Sequence, residues 1–319
     1  MQRRAELLDA DLILDFYDRN ARDLPWRQPD VTPWAVLVSE VMLQQTPVTR
    51  VRPVYAQWLQ RWPAPADLAA EPAGEAIRAW GRLGYPRRAL RLHAAAVEIV
   101  DRHGGAVPSS VEDLLGLPGI GEYTARAVAA FAFEARVPVV DTNVRRVLSR
   151  VVRGVDEPRA SATAADRAEM ATFLPSDPAV AARFSVAVME LGALVCTAVG
   201  PSCDRCPLPA RCAWRRSGAV AGTAKRPVQA WHGTDRQARG RMMALLRDST
   251  GPVTETDLLA AVEDARQARR CLDSLLLDGL VEPAHDGWYA LPGGAADSGA
   301  AAGAGAAAGA GAAAGLQSP

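Results

Sequence analysis

Lysine is almost absent from this sequence, because Lys225 is the only one among 319 residues. No side-chain amine in residues 1–224 is therefore available for Schiff-base chemistry. The formal net charge is zero, so total charge does not indicate a nucleic-acid partner. Of the 36 lysine and arginine residues, 35 are arginine. Local patches of arginine can still bind phosphate.

Long apolar runs are also missing. The N-terminal residues are charged and amphipathic, without the apolar region of a signal peptide, and no run approaches the roughly 18 residues of a membrane span. We therefore expect a cytoplasmic protein. Since disulfides are rare in a reducing compartment, clustered cysteines favour a metal site over cross-links.

The chain is organised into a long helical part and a short mixed part. Most of residues 6–217 has helical spacing interrupted by proline and glycine, which predicts an all-α core. Residues 218–233 form a linker, and residues 234–293 predict a winged-helix-like α+β segment or a small packing domain without a DNA role. The alanine and glycine of residues 294–319 predict a disordered tail. The mixed segment is expected to contain helices at 235–247, from 254 and at 265–277, and strands at 280–282 and 288–290.

Four cysteines lie close together near the end of the helical part. Their spacing is C-x6-C-x2-C-x5-C, so four thiolates can surround one metal centre. Zinc also accepts four cysteines, but its sites usually pair two separate knuckles, and a compact loop is more typical of a [4Fe–4S] cluster. The spacing alone leaves both metals open. The four are Cys196, Cys203, Cys206 and Cys212, whereas Cys271 is expected in the C-terminal core.

Residues 117–125 read LPGIGEYTA and lie between two segments of helical character. Gly119 and Gly121 let the backbone turn tightly, and their N–H groups then stand at the start of a helix, where anions bind. Such a hairpin can hold a DNA phosphate without reading base sequence. The alternative is an ordinary connection between two helices.

Two carboxylates stand out by their surroundings. Glu40 is the only charged residue from Trp34 to Leu43, and burial there would raise its pKa enough for general acid catalysis. Asp141 precedes a helix start, where N–H donors would keep it ionised. The alternatives are a glutamate at an exposed helix position and a purely structural cap. One neutral acid and one anion is the pairing that cleavage of a glycosidic bond requires.

These motifs together resemble the helix-hairpin-helix DNA glycosylases, and within them the MutY-type adenine glycosylases. The resemblance covers about residues 6–217 and rests on LPWR (24–27), SEVMLQQT (39–46), GRLGY (81–85), LPGIGEYTA (117–125), VDTNVRRVLSR (140–150) and ELGALVC (190–196). It implies two lobes: a six-helix barrel over residues 25–134, and an iron–sulfur cluster lobe combining residues 1–24 with 135–217.

The resemblance also implies a substrate and a role for individual residues. Double-stranded DNA would lie across the cleft, with adenine mispaired with 8-oxoguanine or guanine flipped out of the stack. We expect a monomer, associated with the nucleoid, that acts in base excision repair. Glu40 would protonate adenine N7, and Asp141 would stabilise the sugar cation or covalent intermediate. Other roles fall on Tyr123 and Asn143 at the catalytic site, Arg22, Trp26 and Glu190 around adenine, Gln45 and Tyr85 as wedges in the base stack, Gly119 and Gly121 on phosphate, and the four cysteines on a [4Fe–4S] cluster.

Three alternatives stay open at this stage. Endonuclease III has a similar scaffold but attacks through a lysine after the hairpin, where this chain has Tyr123, and it lacks the glutamate of SEVMLQQT. A thymine-mismatch glycosylase is a second alternative, and a non-catalytic, cluster-containing DNA-binding regulator is the third. The chain departs from its relatives at Thr142, where many have glycine. It also has the short segment 234–293 in place of their Nudix-like domain, which leaves recognition of 8-oxoguanine unassigned.

Overall fold

The computed structural model describes residues 6–156, 161–219 and 231–294. The chain divides into two compact units. The N-terminal unit comprises Met1–Glu71 and Arg82–Gln229, and the C-terminal unit comprises Pro72–Gly81 and Ala230–Pro319. The expected linker lies mostly, and the expected alanine–glycine tail almost entirely, outside the described residues.

The N-terminal unit consists of helices with short connections, which confirms the expected all-α core. No helix within the described ranges is both long and apolar enough to cross a membrane. In chain order the helices of both units are α1 (Ala10–Asn20), α2 (Pro33–Leu43), α3 (Val48–Arg61), α4 (Pro65–Ala69), α5 (Ala73–Trp80), α6 (Arg87–His103), α7 (Val111–Gly116), α8 (Glu122–Phe133), α9 (Thr142–Val151), α10 (Ala164–Ala171), α11 (Pro178–Leu194), α12 (Ala213–Arg216), α13 (Asp235–Asp248), α14 (Glu255–Ala260) and α15 (Ala265–Leu277).

Local chemistry explains where several of these helices begin. The N-caps of α2, α9 and α11 are Thr32, Asp141 and Asp177, and each side chain accepts the backbone N–H three residues further on. These bonds satisfy N–H groups that have no partner within the helix. Proline occupies the first turn of α2 and α11, where its missing N–H costs nothing. The starts of the helices that matter for the site are thus encoded within a few residues.

Helix packing brings three of these elements together. Helix α2 packs against α3 and α8, and α11 packs against α1, α9 and α8. Helix α2 is buried almost all round, from Trp34 to Met42, which explains why its sequence is nearly free of charge. The consequence is that a residue on α2, the start of α8 and the start of α9 can face one common space.

The expected helix-hairpin-helix is present between α7 and α8. Ile120 donates its N–H to the carbonyl oxygen of Leu117 at 3.1 Å, which closes the turn. Gly119 has φ +79°, and a Cβ there would meet Arg91 Cβ at 2.5 Å, so only glycine fits. Gly121 is the N-cap of α8. Backbone geometry and close packing therefore require glycine at position 119, whereas at Gly121 φ is −102° and nothing lies within 4 Å of an added Cβ.

The C-terminal unit contains α13, α14 and α15 and a small antiparallel sheet. Its strands are β1 (Val253–Thr254), β2 (Glu282–His285) and β3 (Trp288–Ala290), in the order β1-β3-β2. Thr254 pairs with Trp288, Pro283 pairs with Tyr289, and a bulge separates Pro283 from His285. The sequence predicts three helices and a hairpin correctly, including the cap at Thr254, whose side chain accepts the N–H of Asp257.

Two features of this unit differ from the sequence-based expectation. The first hairpin strand begins at Glu282 instead of residue 280, because Leu280 and Val281 are turned into the core and are 0% and 2% exposed. The second is that α5, far away in the sequence, belongs to the same compact unit. Gly74 at the start of α5 donates its N–H to the carbonyl oxygen of Pro292 at 2.7 Å. Arg78 donates to the carbonyl oxygen of Ser249 at 2.6 Å.

A pair of glycine substitutions tests how closely Leu291 and Pro292 pack on α5. At Gly74 an added Cβ would lie 2.7 Å from the Pro292 carbonyl oxygen, so Gly74→Ala should lower the free energy of unfolding by about 1–3 kcal/mol. At Gly240 in α13 nothing lies within 4 Å of an added Cβ, so Gly240→Ala should raise it by about 0.5–1 kcal/mol. Urea titration of the full chain measures both, and equal effects of the same sign would contradict this packing.

Candidate active site

A large cavity in the N-terminal unit collects most of the residues that the sequence singles out. Its volume is about 1460 Å³. Among the predicted site residues, its lining includes Glu40, Tyr123, Asp141, Asn143, Arg22, Trp26, Gln45, Gly119 and Gly121. Tertiary folding therefore brings together residues that are separated by more than a hundred positions in the chain.

Glu40 is buried in α2, with 7% of its surface exposed. Its pKa rises from 4.5 to about 7, because removal of the carboxyl from water and the charge of Asp141 together outweigh a hydrogen bond with Tyr123 and the charge of Arg27. Burial dominates because the charged form of a carboxyl loses most by desolvation. Near neutral pH the group therefore holds a proton in a large fraction of molecules. The alternative of an exposed glutamate does not apply.

Asp141 is held at the start of α9 by hydrogen bonds to both carboxylate oxygens. Oδ1 accepts the N–H of Val144 at 2.7 Å, and Oδ2 accepts an amide hydrogen of Asn143 at 2.8 Å. Burial outweighs these donors and the charge of Arg146, so the pKa of Asp141 lies above its usual value. The sequence predicts the donors correctly, but it does not reveal the opposing desolvation. The carboxylate is both a helix cap and a group that faces the cavity.

Tyr123 lies close to both carboxyl groups. It stands in the first turn of α8, directly after the hairpin, and hydrogen-bonds with Glu40. Burial first, and then the charges of Glu40 and Asp141, raise its pKa well above its usual range. The phenol is therefore neutral at any pH at which the protein works, and it can donate a hydrogen bond but does not serve as an anionic nucleophile.

Glu190 lies behind two arginines of the cavity lining, and its predicted place around adenine stays a prediction. It is fully buried in α11 and is absent from the residues that line the cavity. Its Oε1 accepts a hydrogen bond from Arg22 Nε at 2.8 Å. Its Oε2 accepts hydrogen bonds from Arg22 Nη2 at 2.8 Å and from Arg27 Nη2 at 2.9 Å. Burial alone would raise its pKa, but these charge-assisted bonds lower it to about 2. Glu190 is thus a permanent anion that orients two arginines at the edge of the cavity.

Arg27 is a site residue that sequence reasoning missed. It lies in the LPWR motif and lines the cavity. Its Nη2 is held by Glu190, whereas its buried Nη1 has no hydrogen-bond partner in the described part of the chain. A buried guanidinium nitrogen without a partner is costly, so it marks a place where a ligand or water can accept a bond. The only sequence signal that could have indicated Arg27 is its place in the LPWR motif, residues 24–27.

The two predicted wedge residues share an unusual backbone conformation. Gln45 has φ +55° and Tyr85 has φ +50°, backbone angles that residues other than glycine rarely adopt. Both are exposed, and 48% of the Tyr85 surface is accessible. Gln45 lines the cavity, and Tyr85 does not. Exposed side chains on strained backbone are suited to contacts with a partner molecule.

A run of hydrogen bonds joins Asp141 to the cysteine region. Arg146 Nη2 donates to Asn143 Oδ1 at 2.7 Å and to the Gly192 carbonyl oxygen at 2.6 Å, and its Nε donates to the Cys196 carbonyl oxygen at 2.5 Å. Asn143 in turn bonds to Asp141. A Cβ at Gly192 would lie 2.7 Å from the Asn143 Cβ, so this contact is close-packed.

The four predicted cysteine ligands lie beside the core that α1, α9 and α11 share. In the described ranges, no three histidine, cysteine or acidic side chains stand in metal-binding geometry. Cys196 and Cys212 both contact Arg150, and burial raises the pKa of Cys206 to about 11 against a hydrogen bond from Leu208, with smaller contributions from the other three thiols. Cys271 is separate and 1% exposed, in the C-terminal unit, where the sequence placed it.

Comparisons with known proteins agree with this geometry. Residues 38–171 match the family model described as HhH-GPD superfamily base excision DNA repair protein. The chain is 54% identical over 282 residues to an adenine DNA glycosylase of Mycolicibacterium smegmatis, covering 88% of this chain and 95% of that protein. It is 50% identical over 283 residues to an adenine DNA glycosylase of Mycobacterium tuberculosis, covering 88% and 92%. A human adenine DNA glycosylase is 42% identical over 228 residues, covering 66% of this chain and 42% of that protein.

Solved structures show the same fold. A thermostable thymine-DNA glycosylase has a TM-score of 0.61 at 26% identity, covering 68% of this chain and 98% of that one. Endonuclease III in a trapped covalent complex with DNA has a TM-score of 0.56 at 22% identity, covering 66% and 95%.

Together, the hairpin, the helical fold and the cavity with its two buried carboxyl groups define a helix-hairpin-helix protein of base excision DNA repair. Within that class, the chain belongs to the adenine DNA glycosylase family, of the MutY type. The recognition made from the sequence motifs is confirmed, and the protein is an enzyme of the N-glycosyl hydrolase class.

The pKa of Glu40 can be tested through stability alone. Because folding raises this pKa from 4.5 to about 7, the folded state retains a proton that the unfolded state releases. The contribution of Glu40 to stability is therefore full below pH 4.5 and is lost as pH rises to about 7, by about 3 kcal/mol in total. The stability of Glu40→Gln relative to the wild type should rise across this window in denaturant titrations. A constant difference would contradict the buried, protonated carboxyl.

Proposed function

We propose that this enzyme excises adenine mispaired with 8-oxoguanine or guanine by hydrolysing the N-glycosidic bond. The observation that carries the proposal is the pairing of the buried Glu40, whose pKa is raised to about 7, with Asp141 in one cavity, with Tyr123 beside them. One acid and one anion on either side of a sugar–base bond are the groups that this chemistry needs. The names of the relatives support adenine as the base.

The reaction follows from these two groups. Glu40 donates its proton to adenine N7, and the bond between N9 and C1′ breaks with its electron pair moving to the base. Asp141 stabilises the positive charge that develops on the deoxyribose. A water molecule adds its oxygen to C1′, and its proton returns to the Glu40 carboxylate. The products are free adenine and an abasic site, and Glu40 regains its starting state.

Hydrolysis without strand cleavage is supported by what the chain offers as nucleophiles. Residues 1–224 contain no lysine, so this region provides no side-chain amine to form a Schiff base with the sugar. Tyr123 takes the position after the hairpin, and its phenol stays neutral because its pKa is far above the usual range. We therefore assign a monofunctional reaction, in which Tyr123 and Asn143 orient the two carboxyl groups.

Recognition of the base is assigned to the arginine edge of the cavity. Trp26 is 8% exposed and packs edge-on against Tyr55, with ring centroids 5.3 Å apart, so it presents a fixed wall. Arg22 and Arg27 are oriented by Glu190, and the unpaired Nη1 of Arg27 supplies a donor. A polar base ring can accept such a bond while it packs on an aromatic wall.

The DNA would be held outside the cavity by backbone and wedge contacts. The N–H groups beside Gly119 and Gly121 stand at the start of α8, where a phosphate can bind. Gln45 and Tyr85 would enter the base stack and stabilise the gap left by the extruded adenine. Double-stranded DNA containing the mispair is thus the proposed partner of a monomeric enzyme.

The four cysteines are proposed to hold a [4Fe–4S] cluster. The residues fit such a group in their chemistry, because all four are free thiols and two of the sulfur atoms already accept hydrogen bonds. Arg150 Nη1 lies 3.4 Å from Cys196 Sγ, and Leu208 N lies 3.4 Å from Cys206 Sγ. When bound, the cluster would cross-link the loop 196–212 and supply a redox centre. Burial raises the pKa of Cys196, and the hydrogen bond and charge of Arg150 oppose that rise.

Base release from defined duplexes tests the assignment. We expect adenine release from duplexes with adenine opposite 8-oxoguanine or guanine, and strand breakage only after alkali. Glu40→Gln should lower the single-turnover rate about 10²–10⁴-fold while DNA binding persists. Glu263→Gln is the matched control, since that side chain is 96% exposed.

Other outcomes of this assay support the alternatives. Release of thymine from a thymine–guanine mispair or of thymine glycol, without adenine release, would indicate a pyrimidine enzyme. Strand breakage before alkali would contradict the monofunctional mechanism. Equal behaviour of Glu40→Gln and wild type, with tight DNA binding, would indicate the non-catalytic regulator.

Metal analysis of the purified full-length protein tests the cluster. We expect a brown protein with about four iron and four sulfide per chain. Cys206→Ser should lower both contents, whereas Cys271→Ser should not, because Cys271 lies in the other compact unit. A colourless protein with stoichiometric zinc would overturn the iron–sulfur assignment.

A further inference from the structure

We propose that Arg88 is a positioning residue that holds the loops of Gln45 and Tyr85 in the conformation required for base extrusion. The inference rests on the proposed function. Arg88 lies in the first turn of α6 and is 7% exposed. Neither its burial nor its partners are explained by the chemistry at Glu40 and Asp141.

The guanidinium of Arg88 binds both loops at once. Its Nη1 donates to the carbonyl oxygens of Val41 at 2.9 Å, Met42 at 3.0 Å and Gln44 at 2.6 Å. Its Nη2 donates to Thr46 Oγ1 at 2.9 Å and to the Gly84 carbonyl oxygen at 3.0 Å. The bonds therefore cross from one loop, residues 44–46, to the other, residues 81–85.

The bonded groups immediately flank the two strained wedge residues. Gln45, with φ +55°, lies between Gln44 and Thr46, and Tyr85, with φ +50°, follows Gly84 directly. Only four residues other than glycine have positive φ in the described part of the chain, so two of the four border one guanidinium. Such conformations persist where the surroundings determine them strongly.

The same arginine also terminates the helix that carries Glu40. Val41 and Met42 lie in the last turn of α2, where carbonyl oxygens have no partner within the helix. A cation at this end is favoured by the helix dipole. Burial lowers the pKa of Arg88 to about 10, so it remains charged near neutral pH. The guanidinium of Arg88 therefore joins the two loops that carry Gln45 and Tyr85 to helix α2, which carries Glu40.

A lysine cannot reproduce this arrangement. Its ammonium is one point with three donors, whereas the guanidinium is a planar fork with five. Arg88→Lys keeps the charge but cannot reach acceptors of both loops together. The matched control is Arg102→Lys, at the other end of α6, where the side chain is 73% exposed and pairs with Glu98.

The experiment compares excision of paired and unpaired adenine under single-turnover conditions with the full-length protein. One duplex carries adenine opposite 8-oxoguanine, and the other carries adenine opposite a tetrahydrofuran abasic analogue, where extrusion breaks no base pair. For Arg88→Lys we expect a loss of about tenfold on the paired duplex and a clearly smaller loss on the unpaired one. The midpoint of the pH–rate profile should not move, because Glu40 is unchanged.

Extrusion itself is read out with 2-aminopurine at the target position, whose fluorescence rises when the base leaves the stack. Arg88→Lys should lower this rise, and Arg102→Lys should not. Equal losses on both duplexes, or a shifted pH midpoint, would overturn the positioning role and indicate a general structural defect. An unaltered rate would also overturn it. Failure of the wild type on both duplexes would instead contradict the proposed function.

A second variant covers the case in which Arg88→Lys does not fold. Thr46→Val removes one acceptor of Arg88 and keeps the size of the side chain, which is 6% exposed. It should show the same preference for the unpaired duplex with a smaller loss. Wild-type behaviour of Thr46→Val on both duplexes, together with an unfolded Arg88→Lys protein, would count against the proposal.

Discussion

The hydrogen bond between Glu40 and Tyr123, beside Asp141 and away from water, is the interaction on which the structure of the site depends. A carboxyl in this position gains more from keeping its proton than from ionising, because desolvation outweighs the nearby arginine. The rest of the unit serves this arrangement. Helix α2 supplies the carboxyl, the hairpin sets the start of α8, and the cap of α9 fixes the aspartate.

A comparison of the two buried glutamates shows how environment decides a role. Glu40 and Glu190 are 7% and 0% exposed, yet the pKa of Glu40 rises to about 7 and that of Glu190 falls to about 2. Glu190 receives charge-assisted bonds from Arg22 and Arg27 that compensate its desolvation, whereas Glu40 receives one bond from a phenol. Glu190 is therefore a fixed anion that orients arginines, whereas Glu40 is a carboxyl that can hold a proton near neutral pH.

Sequence patterns predicted features that depend on a few neighbouring residues. The hairpin glycines, the caps at Asp141 and Thr254, and the three C-terminal helices all follow from local rules. Patterns failed where distant segments meet. Nothing in residues 73–80 indicates that they pack with the C-terminal unit, and the place of Glu190 outside the cavity lining became visible only with its arginine partners.

The sequence by itself determined the helical class, the hairpin, the uncharged stretch around Glu40 and the absence of lysine from residues 1–224, because composition, turn chemistry and capping act within three or four residues. Only the tertiary structure decided which carboxyl keeps its proton, that Arg27 has a donor to offer, and that Arg88 joins two loops. These properties depend on desolvation and on bonds between groups 40 to 170 positions apart, as in the 168-residue separation of Arg22 and Glu190. Such distances are set by packing, and no local pattern records them.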